Sequence, residues 1–419
     1  MIKKGNQLTL LENGNEYFPA LIHALNNAQR EIHLESYIFM VDRAGSQVAD
    51  ALMRAAKRGI ETRLLLDGYG SRGFNDDCLA ALRTAGVHVL FFRPQRTVFA
   101  GEGKSLTWLR QWADRWARGW LGHWLGHWPL RKHRLRRMHR KLAVIDARIG
   151  FVGGINIIDD LHGRSLVAPR QDYAVRIEGP VVADMHIAAR RLWQRVVWSR
   201  LGLNRSEDAW LKADAASVGT QRAAFLTRDS LSQRRAIEAA YLRAILRARR
   251  EILLANAYFL PGLRFRHALI AAAHRGVRVR LVVQGHSEHP LYQLAARALY
   301  RHFLDNGIAV FEYHATELHA KVAIIDDAWA TVGSSNIDPF SLLLSREANV
   351  VAYDRDFAAH LRSSLELALQ RGAHQIHRRA WRRIPWYARF ASWLAYGLVR
   401  LLMGIGGYNQ SYDGIKNRP

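Results

Sequence analysis

The sequence predicts an α/β fold in which one sandwich unit is used twice in a single chain, and three observations carry the prediction. Ala55 to Gly68 (AAKRGIETRLLLDG) matches Ala272 to Gly285 (AAHRGVRVRLVVQG) at seven of fourteen positions, so the chain is internally duplicated. His139 to Asn156 (HRKLAVIDARIGFVGGIN) matches His319 to Asn336 (HAKVAIIDDAWATVGSSN) at eight of eighteen. Within each copy, apolar strand-like runs alternate with helical stretches.

The elements follow the same order in both halves. A buried strand (Ile32 to Phe39; Ile252 to Leu260) leads to a helix that ends at a glycine (Gly59; Gly276), then to an apolar strand (Arg63 to Leu66; Arg280 to Val283). A further helix and strand follow around Gly86 and Gly307. This alternation predicts a largely parallel central sheet. The domains expected are residues 1–200, an N-terminal lobe with an insertion near 95–136; 201–222, a linker; 223–370, a C-terminal lobe; and 371–419, a basic amphipathic tail.

The 419 residues hold 61 Lys or Arg against 36 Asp or Glu, a net charge of +25, with 49% hydrophobic residues. That composition excludes disordered and fibrous classes and points to a polyanionic partner, either nucleic acid or an anionic membrane surface. The one cysteine, Cys78, cannot form an intrachain disulfide or a cysteine-based metal site, and reads as an inert buried thiol. No signal peptide is apparent at the N-terminus. The most apolar stretch, Ile384 to Ile405, is broken by Arg389 and Arg400 and reads as a segment lying on a membrane rather than crossing it.

The second repeated block carries the chemistry. Both copies fit H-x-K-x4-D-x6-G-[GS]-x-N. His and Lys two residues apart on a strand project from one face. Lys141, Lys321, Asn156, Asn336 and the hydroxyl of Ser334 are donors suited to the oxygens of a phosphodiester, and His139 and His319 supply a nucleophile and an acid. No metal or other cofactor is expected, because the lysines neutralise the charge. Asp146 and Asp326 complete the catalytic motif. Seven residues beyond each histidine, they are expected at the far end of the strand as structural hydrogen-bond acceptors.

These twin motifs resemble those of the phospholipase D superfamily, and the chain is similar to the bacterial cardiolipin synthases of the B type over nearly its whole length. The resemblance also rests on LLENGNEYFPAL (Leu10 to Leu21), LLLDGYGS (Leu64 to Ser71), QDYAVRIEGP (Gln171 to Pro180) and ATVGSSNIDPFSL (Ala330 to Leu342). It implies two pseudo-symmetric α/β/α sandwich lobes sharing one active site. It also implies transfer of a phosphatidyl group from phosphatidylglycerol to the glycerol head of a second phosphatidylglycerol, through a phosphohistidine. His139 is then the nucleophile and His319 the acid. An acidic residue downstream of each motif, here Asp172 and Glu347, is implied to orient the histidines. One departure is Gly154, which stands where the second motif has Ser334.

The insertion carries Trp108, Trp112, Trp116, Trp120, Trp124 and Trp128, a helical stripe at steps of four. Between Lys104 and Lys141 there are eleven Lys or Arg and one acid, Asp114. Aromatics among basic residues describe an interfacial membrane binder; a dimer contact or packing over the active-site mouth are the other readings. Arg382, Arg383, Trp386 and Trp393 tell the same story at the C-terminus. The expected partners are phosphatidylglycerol, other anionic phospholipids and a membrane surface, without nucleic acid, and the expected place is peripheral on the cytoplasmic side of the bacterial inner membrane. A phospholipase D-type hydrolase or nuclease is the rival in enzyme class, and a non-enzymatic lipid-binding scaffold is the rival outside it.

Overall fold

The computed structural model describes residues 1–93, 137–159, 170–201, 211, 213, 216–228, 233–286, 290–338, 341, 345–382 and 385–405. The insertion expected near 95–136, with all six of its tryptophans, and Arg383 lie outside them. So does most of the expected linker, whose last two residues belong to a strand that starts at Gln221.

The first lobe contains β1 (Lys3–Glu12), α1 (Asn13–Asn26), β2 (Glu31–Ser36), α2 (Arg43–Lys57), β3 (Glu61–Asp67), α3 (Asp76–Thr84), β4 (His88–Phe92), β5 (Leu142–Ile145), β6 (Ile149–Gly153), β7 (Tyr173–Glu178) and α4 (Val182–Leu201). The second repeats the series as β8 (Gln221–Arg228), α5 (Ala236–Arg247), β9 (Glu251–Asn256), α6 (Leu263–His274), β10 (Arg278–Gln284), α7 (Pro290–Arg297), α8 (Tyr300–Asp305), β11 (Ala309–Tyr313), β12 (Lys321–Ile325), β13 (Trp329–Gly333), β14 (Glu347–Tyr353) and α9 (Arg355–Gly372). Local chemistry sets several boundaries. Asp42, Asn75 and Asp354 cap helices by accepting from the backbone of Gly45, Asp77 and Phe357. Gly59 and Gly276, at φ +83° and +86°, end α2 and α6 in a conformation costly for any residue with a Cβ.

With β15 (Ala373–Ile376), the fifteen strands among the described residues join one sheet, ordered β15-β11-β10-β9-β12-β13-β14-β8-β1-β7-β6-β5-β2-β3-β4. The order reads as a mirror about the β1–β8 pair, so the lobes are related by a pseudo-twofold at the centre of the sheet. Helices cover both faces, which is why β2 and β9 are buried along their whole length.

The expectation of a largely parallel sheet is corrected. Parallel pairing is confined to β2–β3–β4 and β9–β10–β11, and every other pair is antiparallel. The reason is connection length. Helical crossovers join the flanking strands, whereas β5 and β6, like β12 and β13, are separated by three residues, which can only make a hairpin.

The C-terminal tail is also more than a surface segment. β15 (Ala373–Ile376) pairs with β11 and closes that edge of the sheet, α10 (Arg378–Arg382) follows, and α11 (Trp386–Ile405) buries Ala395, Tyr396 and Val399 in the second lobe's core. Cys78 is only half-buried, on α3, and burial raises its thiol pKa, so the thiol form persists.

Candidate active site

The two motif histidines precede β5 and β12, and each is stitched by its backbone to the opposite lobe. The His139 N–H donates to Arg346 O and the His319 N–H to Gln171 O, both at 2.9 Å. The side chains repeat the exchange. His139 Nδ1 lies 3.1 Å from Glu347 Oε2 in the second lobe, and His319 Nδ1 lies 2.5 Å from Asp172 Oδ2 in the first. Each orienting carboxylate therefore serves the histidine of the other repeat. With Nδ1 committed to a carboxylate, Nε2 is the atom left for chemistry in both rings.

The carboxylates are held differently. Glu347 is fully buried and accepts from Ser334 Oγ at 2.5 Å. Asp172, one methylene shorter, accepts from the Tyr173 N–H at 2.8 Å and lies against Gly154, where a Cβ would come within 2.1 Å of Asp172 Oδ1. The departure at Gly154 is thus matched to Asp172, as Ser334 is matched to Glu347. This corrects the expectation for Ser334, because its proton is spent on Glu347 and cannot serve a phosphate.

Lys141 and Lys321 are buried and donate from Nζ to the carbonyls of His139 and His319. Burial lowers the Lys141 pKa to about 7, with Glu347 opposing that shift and Lys321 adding to it. Lys321 is lowered as well, again by burial first. Burial, reinforced by Lys321, takes His319 down to about 3, and burial lowers His139 too, so both imidazoles are neutral at neutral pH. Burial pushes Asp172 up, but Lys321 and His319 outweigh it and the carboxyl ends below its ordinary value. The two lysines are matched by the two carboxylates Glu347 and Asp172, and they are the cationic donors available to the oxygens of an incoming phosphodiester.

Asn156 accepts from the Ile38 N–H at 3.3 Å through Oδ1, which turns its amide NH2 away from that backbone. Asn336 is buried, and its Oδ1 has no hydrogen-bond partner among the described residues. The motif aspartates do not join this cluster. Asp146 accepts from the backbone N–H groups of Gln29, Arg30 and Glu31, and Asp326 from those of Arg249, Arg250 and Glu251. They stand beyond the far ends of β5 and β12, roughly 20 Å from the histidines by strand rise, which corrects their place in a catalytic set and leaves them as structural acceptors.

Tyr37 was missed in the sequence. Its ring centroid is 4.7 Å from that of His139 at 60°, and Lys141 Nζ is 5.3 Å from the same ring. Its signal was available, since two residues before Phe39 in the first repeat stands Tyr37 and two before Phe259 in the second stands Ala257. Elsewhere, Glu31, His33 and His186 bring three metal-capable side chains together under α4. Arg63 Nη1 stands 3.8 Å from the same Glu31 carboxylate and supplies a positive charge there already, so the cluster is poorly suited to a cation.

A protein-family model described as "Cardiolipin synthase, PLD-like domain" matches residues 21–188 and 241–368, one span in each lobe. The chain belongs to this phospholipase D-like cardiolipin synthase family. Among its relatives, cardiolipin synthase B of Escherichia coli (strain K12) is 38% identical over 416 residues, covering 97% of this chain and 91% of that protein. Cardiolipin synthase 1 of Staphylococcus epidermidis (strain ATCC 12228) is 27% identical over 366 residues, covering 87% of this chain and 68% of that one. A solved phosphatidylserine synthase from Haemophilus influenzae shares the fold with a TM-score of 0.61 at 14% identity, covering 94% of this chain and 93% of its own. The two pseudo-symmetric α/β/α lobes are therefore those of the phospholipase D-like fold.

Proposed function

We propose that this protein is a cardiolipin synthase, a phosphatidyltransferase that moves a phosphatidyl group from one phosphatidylglycerol to the glycerol head of another and releases glycerol. The observation that carries the reading is the reciprocal exchange of carboxylates, which commits Nδ1 of both histidines and leaves two Nε2 atoms for chemistry beside two buried lysines. In the first step His139 Nε2 attacks phosphorus, the bond from phosphorus to the glycerol oxygen breaks, and the protonated His319 gives its proton to that oxygen. In the second, the hydroxyl of the acceptor gives its proton to His319, its oxygen bonds to phosphorus, and the phosphorus–nitrogen bond to His139 breaks. Both imidazoles end as they began.

The incoming phosphodiester supports the acid role of His319. Its negative charge between Lys141 and Lys321 offsets their repulsion of an imidazolium, raising a pKa that burial and Lys321 hold low. Lys141, Lys321, Asn156 and Asn336 surround the equatorial oxygens, and Glu347 and Asp172 hold the rings.

Membrane association fits the family, and α11 supports a peripheral mode. No helix among the described residues is long and apolar enough to cross a membrane. On the side of α11 opposite its buried residues, Trp386, Phe390, Trp393, Leu394 and Leu401 are each more than half exposed, with Arg389 and Arg400 on the same helix. Such a face suits an anionic bilayer on the cytoplasmic side of the inner membrane.

The test is to incubate the purified protein with labelled phosphatidylglycerol vesicles. Cardiolipin and glycerol should appear in equal amounts; phosphatidic acid as the sole lipid product would make the protein a hydrolase.

A further inference from the structure

The pseudo-twofold makes the two rims of the active site comparable residue by residue, and their charges differ. The Arg346 N–H donates to Arg137 O at 2.7 Å, and the matching bond in the other half runs from the Gln171 N–H to Glu317 O at 2.9 Å. The Gly68 N–H donates to Phe92 O and the Gly285 N–H to Tyr313 O, both at 2.9 Å, so Tyr69 corresponds to His286 and Arg93 to His314. The second rim thus carries a carboxylate, Glu317, which Arg170 holds at 2.8 Å. The first is built of arginines stacked on aromatic rings. Arg137 and Arg72 lie 4.6 and 5.2 Å from the Tyr69 centroid, and Arg346 and Arg93 lie 5.5 and 5.6 Å from that of Phe92. A guanidinium stacked on a ring keeps its in-plane N–H groups for an anion. Asp67 Oδ1 stands 3.9 Å from Arg137 Nη1, but the Asp67 oxygens already accept from the N–H groups of Tyr69, Gly70 and Met138. Arg72 is exposed, so this rim is open to solvent.

Tyr37 stands between this rim and the reacting groups. Its ring packs on His139 and Lys141. Burial, Asp67 and Tyr69 raise the pKa of its hydroxyl, and Arg137 and Arg72 oppose them, which places those arginines toward its hydroxyl end. In the proposed reaction both alcohols lie on the His319 side, so a lipid held at this rim is neither leaving group nor acceptor. Forked N–H groups beside one another match the oxygens of a phosphate. We propose that Arg72 and Arg137, backed by Tyr69 and flanked by Arg93 and Arg346, form a second phosphate site that holds the headgroup of a non-reacting anionic phospholipid beside the active-site mouth. Such a lipid anchors the first lobe to an anionic surface. The site itself does not depend on the transfer chemistry.

The experiment titrates the full chain calorimetrically with dihexanoyl phosphatidic acid kept monomeric, so that binding is read without turnover. Arg72→Gln combined with Arg137→Gln should bind one equivalent less than wild type. Arg243→Gln combined with Arg247→Gln removes the same charge from exposed positions on α5 and should bind as many equivalents as wild type. Arg72→Gln alone, at an exposed residue, should weaken the rim site by about tenfold, the value of one charge-assisted hydrogen bond. Arg137→Lys should weaken it by a similar factor, because an ammonium offers no planar fork. A melting temperature for each variant separates misfolding from loss of the site. Unchanged stoichiometry in the Arg72 and Arg137 double variant, unchanged affinity in Arg72→Gln, or an equal loss in the α5 pair overturns the site. Failure to form cardiolipin in the vesicle assay, with this binding pattern intact, overturns the transferase reading and leaves the site standing.

Discussion

His139 and Glu347 are 208 residues apart in the chain and belong to different repeats, yet His139 Nδ1 lies 3.1 Å from Glu347 Oε2. His319 and Asp172 repeat the relationship in the other direction. Each lobe supplies one motif histidine and a carboxylate to the histidine of its partner, so neither lobe alone contains a complete half-site.

Replacing either carboxylate by its amide removes the acceptor that fixes the imidazole tautomer. Glu347→Gln and Asp172→Asn should each lower kcat by about 10³- to 10⁴-fold with little change in KM. A loss under tenfold in steady-state kinetics would mean that the carboxylates are only packing groups.

Gly154 and Ser334 should respond in opposite ways to exchange. Gly154→Ser drives a Cβ into Asp172, and activity should fall by more than about 100-fold with a lowered melting temperature. Ser334→Gly removes one hydrogen bond to Glu347 and should cost about tenfold in kcat. Equal effects from both substitutions would contradict the pairing of short with bare and long with hydroxylated.

His139→Ala and His319→Ala should each abolish turnover while the proteins remain folded, because the pair acts as a unit. Acid-quenched wild-type enzyme should carry a phosphatidyl group on His139; label confined to His319 would reverse their roles. EDTA should leave the rate unchanged, since Lys141 and Lys321 meet the substrate's charge.

The Lys141 pKa of about 7 gives a direction to the pH dependence. A lysine is charged below its pKa, so kcat/KM should fall as pH rises through the neutral range, and Lys141→Arg should move that limb upward if it retains any activity. Stability carries a second signature, from His319. Its folded pKa of about 3 lies below the unfolded value of ~6.5, so between them the unfolded chain binds more protons and stability falls as pH drops below ~6.5. Calorimetric melting of His319→Gln should show a shallower decline over that window than wild type.

Trp386, Phe390 and Leu394 are each more than half exposed and lie outside the core cluster that α11 joins, so changing all three to Ser should leave the melting temperature near wild type while vesicle flotation declines. Replacing residues 95–136 by a short Gly/Ser linker should weaken flotation further and reduce activity on vesicles more than on dispersed short-chain lipid. Salt should weaken binding of the intact protein without abolishing it, because only the arginine share is screened over ~8–10 Å.

Duplication, fold class and the His, Lys and Asn sets were legible in the sequence because each is a local pattern: strand periodicity, glycine at a helix end, and a motif written out twice within eighteen residues. The far-end position of Asp146 and Asp326 followed from strand rise alone. The sheet's mostly antiparallel centre did not, because strand direction depends on which non-adjacent strands meet. The crosswise pairing of Asp172 with His319 and Glu347 with His139, the capture of the Ser334 hydroxyl by Glu347, and the difference between Tyr37 and Ala257 were decided only when the lobes closed on each other. Such contacts are set by packing across an interface, where distance in space is unrelated to separation along the chain.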